Sequence, residues 1–202
     1  MRITVLGASG GTGTRVVELA REAGHEVTAI VRAPNGRDTV ADVMDPGSLG
    51  PHVAGADAVV SAIGPRAVGR PTSVQTDSTR SAIAAMGAHG VRRLVVVSNS
   101  GMVTEGDDPV SRYLVKPVLR RVFRHPWGDM ARMEDVVRAS GLEWTIVRPP
   151  RLTDGPRTGA YRTAVGVNVR GGRTVSRADL AALVVRCLAD PGTVRQVISI
   201  AN

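Results

Sequence analysis

One stretch near the start of the chain restricts the fold more than any other: Gly7-Ala8-Ser9-Gly10-Gly11-Thr12-Gly13 lies between a short apolar run and a helical pattern. The run before it, Ile3-Thr4-Val5-Leu6, reads as a buried strand opening at Arg2. After it, Gly10 to Ala23 has helical spacing, with Val16, Val17, Leu19 and Ala20 on one face and Arg15, Glu18, Arg21 and Glu22 on the other. Gly24 is placed to end that helix. In a strand–turn–helix setting each glycine has a separate task. Gly7 allows a tight turn, Gly10 removes a Cβ so that a phosphate can approach the backbone, and Gly13 lets helix and strand pack closely. The helix start offers unpaired N–H groups and a partial positive charge. Gly11 adds to the bare surface, and Ser9 and Thr12 offer hydroxyls. A glycine-rich turn without a ligand is the bland alternative, which the strand–helix context disfavours. A P-loop is excluded because no Gly-Lys-Ser/Thr follows.

The rest of the chain repeats the alternation. Strands are expected at Val27–Val31, Thr39–Val43 (weakly), Ala58–Ile63, Val91–Ser98, Trp144–Val147 and Val197–Ile200. Helices are expected at Pro46–Val53, Pro71–His89, Asp129–Ser140 and Ser176–Ala189, the last capped by Ser176 with Asp179 three residues on. Strands joined by helix-length crossovers imply a single doubly wound α/β domain over residues 1–202, a parallel sheet with helices on both faces. Such Rossmann sheets bind ligands beyond the carboxyl ends of the strands. Function is therefore expected just after strands: at Gly7–Gly13, Arg32, Asp42, Gly64, Ser98–Gly101 and Arg148–Leu152. Ser100–Asp108 and Thr153–Arg173 read as irregular segments roofing that edge.

The tip of the second strand selects a cofactor. NAD-binding domains usually place an acid there for the ribose 2′-hydroxyl. This chain has Arg32, whose guanidinium suits a 2′-phosphate, with Arg37 near enough to assist. The expected cofactor is NADPH; a solvated surface arginine is the alternative. Asp42 can accept from an adenine amino group with Val43 against the ring, or it can simply close a turn.

The formal net charge is +8, but the basic residues are scattered, apart from Arg120, Arg121 and Arg124, and all are arginine except Lys116. No nucleic-acid partner is expected from so unorganised a charge. The only cysteine, Cys187, sits in an apolar helical stretch and reads as core; an intrachain disulfide is impossible, which suits a reducing cytoplasm. No apolar run is long enough to span a bilayer, so no membrane partner and a cytoplasmic location are expected.

Longer motifs add a resemblance. Gly7–Gly13, Val27-Thr28-Ala29-Ile30-Val31-Arg32 and Ala84-Ala85-Met86-Gly87-Ala88-His89-Gly90-Val91 occur in order with Ser140-Gly141-Leu142, Pro149-Pro150, Thr158-Gly159-Ala160-Tyr161, and Asp179-Leu180 through Arg186-Cys187-Leu188. Together they resemble the biliverdin reductase B, or NADPH-dependent flavin reductase, family among the NmrA-like atypical short-chain dehydrogenases. The resemblance implies a monomeric NADPH oxidoreductase acting on a flavin, quinone or tetrapyrrole-like acceptor. It implies a pyrophosphate loop at Ser9–Thr12 and a 2′-phosphate ligand at Arg32. A nicotinamide side follows at Gly64, Ser98, Asn99, Pro149 and Arg151, with Ile63, Met130 and Pro150 as further cofactor-binding residues; Ser98, Asn99 and Arg151 are the catalytic candidates.

The chain departs from its relatives in what could move a proton. Short-chain dehydrogenases use Tyr-x-x-x-Lys; here Tyr113 and Lys116 are one residue too close, and the aligned places hold Pro126 and Met130. Met130 and Arg151 stand where the flavin reductases have histidines, and Asn99 where they have a serine. His125 could donate a proton by position, and Tyr161 could stack on a substrate or anchor its loop. Hydride transfer needs positioning more than a placed acid, so a reductase is the leading expectation. A dinucleotide-binding sensor without turnover and a non-redox biosynthetic enzyme are the alternatives.

Overall fold

The computed structural model describes residues 1–65 and 69–202. Its main sheet has eight strands in the order β3-β2-β1-β4-β5-β6-β10-β8. They are β1 (Arg2–Leu6), β2 (Glu26–Val31), β3 (Thr39–Val40), β4 (Ala58–Ser61), β5 (Arg93–Val97), β6 (Glu143–Arg148), β8 (Arg162–Val165) and β10 (Gln196–Ala201). Every pairing is parallel except β8 against β10. The strand order reverses between β1 and β4, and the switch point between their carboxyl ends is where such sheets bind ligands.

Successive strand residues serve opposite layers. Val5, Val31, Val60, Val95 and Ile198 join the core under α1 (Gly11–Glu22) and α6 (Arg177–Ala189). Leu6, Ile30, Val59, Leu94, Val96 and Ile146 join the core under α2 (Pro46–Val53), α3 (Val74–Ala88) and α5 (Arg124–Ala139). Both faces are thus covered, which is why the strands read as continuous apolar runs rather than alternating ones. Cys187 is fully buried in the first core, and burial pushes its thiol up to about 11, so it is packing and not a nucleophile at neutral pH.

Three places differ from the sequence reading. The strand expected at Thr39–Val43 is two residues long, because Asp42 and Asp45 close turns there. Residues 153–173 are not wholly irregular. They carry β8 on the sheet edge, and flanking strands β7 (Arg151–Thr153) and β9 (Thr174–Ser176) pair in parallel. Residues 111–122, left unassigned by periodicity, form a wide π turn (Ser111–Val115) running into α4 (Lys116–Val122), and α5 begins at Arg124 rather than Asp129. Their apolar residues face outward, so no buried stripe announced them. No helix among the described residues is long and apolar enough to cross a membrane.

Candidate functional site at the sheet switch point

The phosphate loop is a cradle made by omitting side chains. Gly7 turns off β1 at φ +78° and its carbonyl accepts from the Gly10 amide at 3.0 Å. Gly10 caps α1, and Thr14 closes the turn twice, through its amide to Gly10 O and its hydroxyl to Ala8 O, both at 2.9 Å. Among the described residues no side chain caps α1 and no acid sits in its first turn, so the helix itself supplies no acceptor for the amides of Gly11, Thr12 and Gly13. A Cβ on Gly13 would lie 2.1 Å from Gly7 O, so the loop cannot form with any other residue there. Gly10 and Gly11 are exposed and leave room above the amides; Ser9 is exposed beside them and Thr12 is nearly buried. These residues fit a dinucleotide pyrophosphate, judged from the open cradle itself.

Arginine frames this cradle. Arg32 directly follows β2, is exposed, and makes no salt bridge among the described residues. Arg37 lies in a turn ordered by Asn35, which accepts from the Arg37 and Asp38 amides at 3.2 and 2.9 Å. Sequence reasoning missed Arg177. Its Nε lies 3.0 Å from where a Gly11 Cβ would be, and it pairs with Asp154 at 2.6 Å. A strand–helix junction 166 residues after Gly11 gave no local signal for that approach. Asp42 spends one carboxylate oxygen on the Met44 amide at 2.9 Å, the turn role that the sequence left open. Val43 and Ile63 are half-buried against the α2/α3 core, and Gly64 is exposed.

Past β5 the construction is the reverse: charges are buried and paired. Ser98 is 4% exposed and donates to Glu134 Oε1 at 2.7 Å. Glu134, on α5, also accepts from Arg148 Nε at 2.8 Å and from Arg138 at 2.6 Å. Burial alone would raise the Glu134 pKa, but Arg148, Ser98 and Arg138 together hold it below the ordinary carboxylate range. Ser98 therefore has its proton committed to a carboxylate. Asn99 accepts from the Gly101 amide at 2.6 Å, which leaves its amide nitrogen as a donor. Gly101 itself is held by ring contact, since a Cβ there would lie 2.4 Å from Trp127. Pro149 is buried and its carbonyl takes the Ser100 amide at 2.9 Å; Met130 is 9% exposed. Pro150 is half-buried, and Arg151 is exposed without a salt bridge among the described residues.

Two anchors behind this edge were not read from sequence. Lys116 is buried, pairs with Asp107 at 2.5 Å, and donates to the carbonyls of Ser100 (3.0 Å) and Val103. Asn168 donates to the same two carbonyls and to Asp107, tying the 100–108 and 166–172 segments together. Tyr113 points away, 68% exposed, so it forms no catalytic pair with Lys116. The Glu134 anchor did carry a signal: it interrupts the apolar row Met130, Met133, Val137 on α5. The Thr-Gly-Ala-Tyr motif is likewise explained by Asp179. This buried carboxylate accepts from Thr158 N, Thr158 Oγ1 and Gly159 N at 2.9, 2.8 and 2.8 Å, while Ser176 caps α6. Desolvation pushes its pKa up, but those hydrogen bonds and the one from Ser176 outweigh it and lower it.

Comparison with known proteins agrees with this geometry. Residues 7–191 match a family described as NAD(P)H-binding. The Bacillus subtilis protein YwnB is 28% identical over 201 residues, covering 95% of this chain and 93% of its own. A crystal structure of a putative exported protein from Burkholderia pseudomallei superposes with a TM-score of 0.85 at 27% identity over 100% of both chains. A putative NADH-flavin reductase from Streptococcus pneumoniae superposes at 0.81, also 27% identical, over 100% of this chain and 99% of its own.

Proposed function

The chain belongs to this NAD(P)H-binding family, and we propose that it is an NADPH-dependent reductase that delivers a hydride to a flat conjugated acceptor of flavin, quinone or tetrapyrrole type. The observation that carries the reading is the uncapped start of α1 beneath Gly10 and Gly11, with Arg32, in no salt bridge among the described residues, at the tip of β2. Bound there, NADPH supplies the hydride.

The chain's own residues bind and position. The amides of Gly11–Gly13 and the Arg177 guanidinium neutralise a pyrophosphate, and Arg32 takes the 2′-phosphate. At the other strand ends, the Asn99 amide nitrogen and Ser98 oxygen are aimed by their fixed partners, Gly101 N and Glu134. Pro149 and Met130 keep that edge dry, and Arg151 is free to hold an anionic group of the acceptor. No tyrosine–lysine pair supplies a proton, which favours an acceptor whose reduced form takes its proton from solvent over an alcohol–ketone pair. The flavin-reductase neighbour supports the acceptor class. Its name specifies NADH, so the preference for NADPH rests on Arg32.

A second reading, a dinucleotide sensor, is favoured by the commitment of the Ser98 proton to Glu134. The test is NADPH oxidation by the purified chain with FMN, riboflavin and a soluble quinone as acceptors. Steady turnover with at least one is the expected result. Tight NADPH binding with no turnover across the panel would assign the sensor role instead.

A further inference from the structure

Six of the eleven large apolar side chains that the described residues leave exposed lie within residues 110–122. Val110, Leu114, Val118 and Val122 are 53, 67, 64 and 53% exposed and recur at every fourth residue. Tyr113 (68%) and Val115 (46%) flank them. An i, i+4 row drifts around an α-helix. The wide turn at Ser111–Val115 winds less per residue, which offsets part of that drift and keeps the row in one band. The opposite side of this helix is fixed to the protein by buried Lys116, by Arg120 donating to Met102 O at 3.0 Å, and by the Phe123–Trp127 stack at 5.5 Å. The outward apolar face is therefore a held surface and not a frayed end.

Charge identifies what covers it. Residues 109–128 contain no Asp or Glu, and Arg112, Arg120, Arg121 and Arg124 are all exposed and without a salt bridge among the described residues. The nearby carboxylates are Glu105, which feels Arg112, Asp107, which is paired with Lys116, and Asp108, which holds the Ser111 amide and hydroxyl. A second copy meeting the same face would set the guanidiniums of Arg112, Arg121 and Arg124 against their own copies, so self-association is opposed by its own field. A nucleic acid would use the arginines and leave the valine–leucine band without a partner. An apolar band edged by arginines with a tyrosine at its border has the composition of a helix lying in the plane of a bilayer surface.

We propose that residues 110–124 form a docking surface for an anionic lipid bilayer, by interfacial contact and not by insertion of a span. This revises the expectation of no membrane partner, which rested on the lack of a spanning segment. The face abuts the Ser100–Met102 turn that follows Ser98 and Asn99, so docking sets the protein down beside its acceptor-side edge.

The test is co-sedimentation of the full chain with vesicles of phosphatidylglycerol and phosphatidylcholine, against phosphatidylcholine alone, with NADPH binding and melting temperature measured alongside. Preferential binding to the anionic vesicles is expected. It should weaken about tenfold or more in Leu114→Asp/Val118→Asp, which loses the apolar anchor. In Arg112→Ala/Arg121→Ala it should weaken about fivefold per arginine. NADPH affinity and melting temperature should stay at wild-type values in the aspartate variant, since both side chains are exposed. Equal or absent binding to the two vesicle types overturns the proposal. So does wild-type binding by the aspartate variant, a wild-type dimer that this variant converts to monomer, or tighter binding to duplex DNA than to vesicles.

Discussion

The two ends of the site edge are built on opposite plans. At β1 and β2 the protein prepares a place by leaving side chains out: Gly10 and Gly11 leave space above the start of α1, Gly13 lets the helix close on the strand, and Arg32 stands at the rim in no salt bridge among the described residues. At β5 and β6 it fills the space with paired charge. Glu134 holds Ser98, Arg138 and Arg148, and Lys116 holds Asp107 and two carbonyls. The first plan leaves electrostatic demand open for a ligand to satisfy. The second satisfies that demand internally, apart from exposed Arg151, and leaves shape and a few aimed atoms.

Substitutions can break this contrast at either end. The largest effect is expected from Gly13→Ala, whose new Cβ would overlap Gly7 O at 2.1 Å. The helix must move off the strand, and dinucleotide binding should vanish in a titration, with a stability loss at or above the usual ~1–3 kcal/mol of overpacking. Close behind is Glu134→Gln, which strands the buried Arg148 guanidinium. A loss of about 3–5 kcal/mol is expected, read as a melting temperature lower by roughly 10 °C, while NADPH affinity in the folded protein changes little. Equal damage to affinity would erase the distinction between the two ends.

Acid should expose the same carboxylate. The folded pKa of Glu134 is depressed, so its contribution is complete above the ordinary value of about 4.3 and is lost as pH falls through the folded value. Wild type should therefore lose stability steeply below about pH 4, and Glu134→Gln less steeply, in melting curves recorded against pH. Asp179 has the same sign and supplies part of the slope that remains. The smallest effect is expected from Arg177→Ala. Its side chain is partly exposed and can relinquish Asp154, so a loss of a fewfold in affinity is expected, equal for NADPH and NADH.

The same contrast explains what could be read without coordinates. A site made of glycines is local: strand, turn and helix start lie within Arg2 to Thr14, and each missing Cβ is visible as a letter. Arg32 was legible because strand tips are easily placed once β2 is found. Paired charges were not, because Ser98, Glu134 and Arg148 come from three elements, and Lys116 meets Asn168 only through two carbonyls and the Asp107 carboxylate of a third segment. Glu134 could have been suspected from its place in an apolar row. Lys116 could not, since the helix that carries it turns its apolar residues to solvent and showed no buried periodicity.

The central claim is that bare amides at the start of α1 and the Arg32 guanidinium together hold a 2′-phosphorylated dinucleotide. Calorimetric titration of wild type and Arg32→Ala with NADPH and NADH tests it directly. Wild type should prefer NADPH by well over tenfold, in line with charge-assisted hydrogen bonds of about 1.5–3 kcal/mol, and the variant should lose that preference while binding NADH unchanged. Equal affinity of wild type for the two dinucleotides, or no measurable uptake of either, would contradict the account.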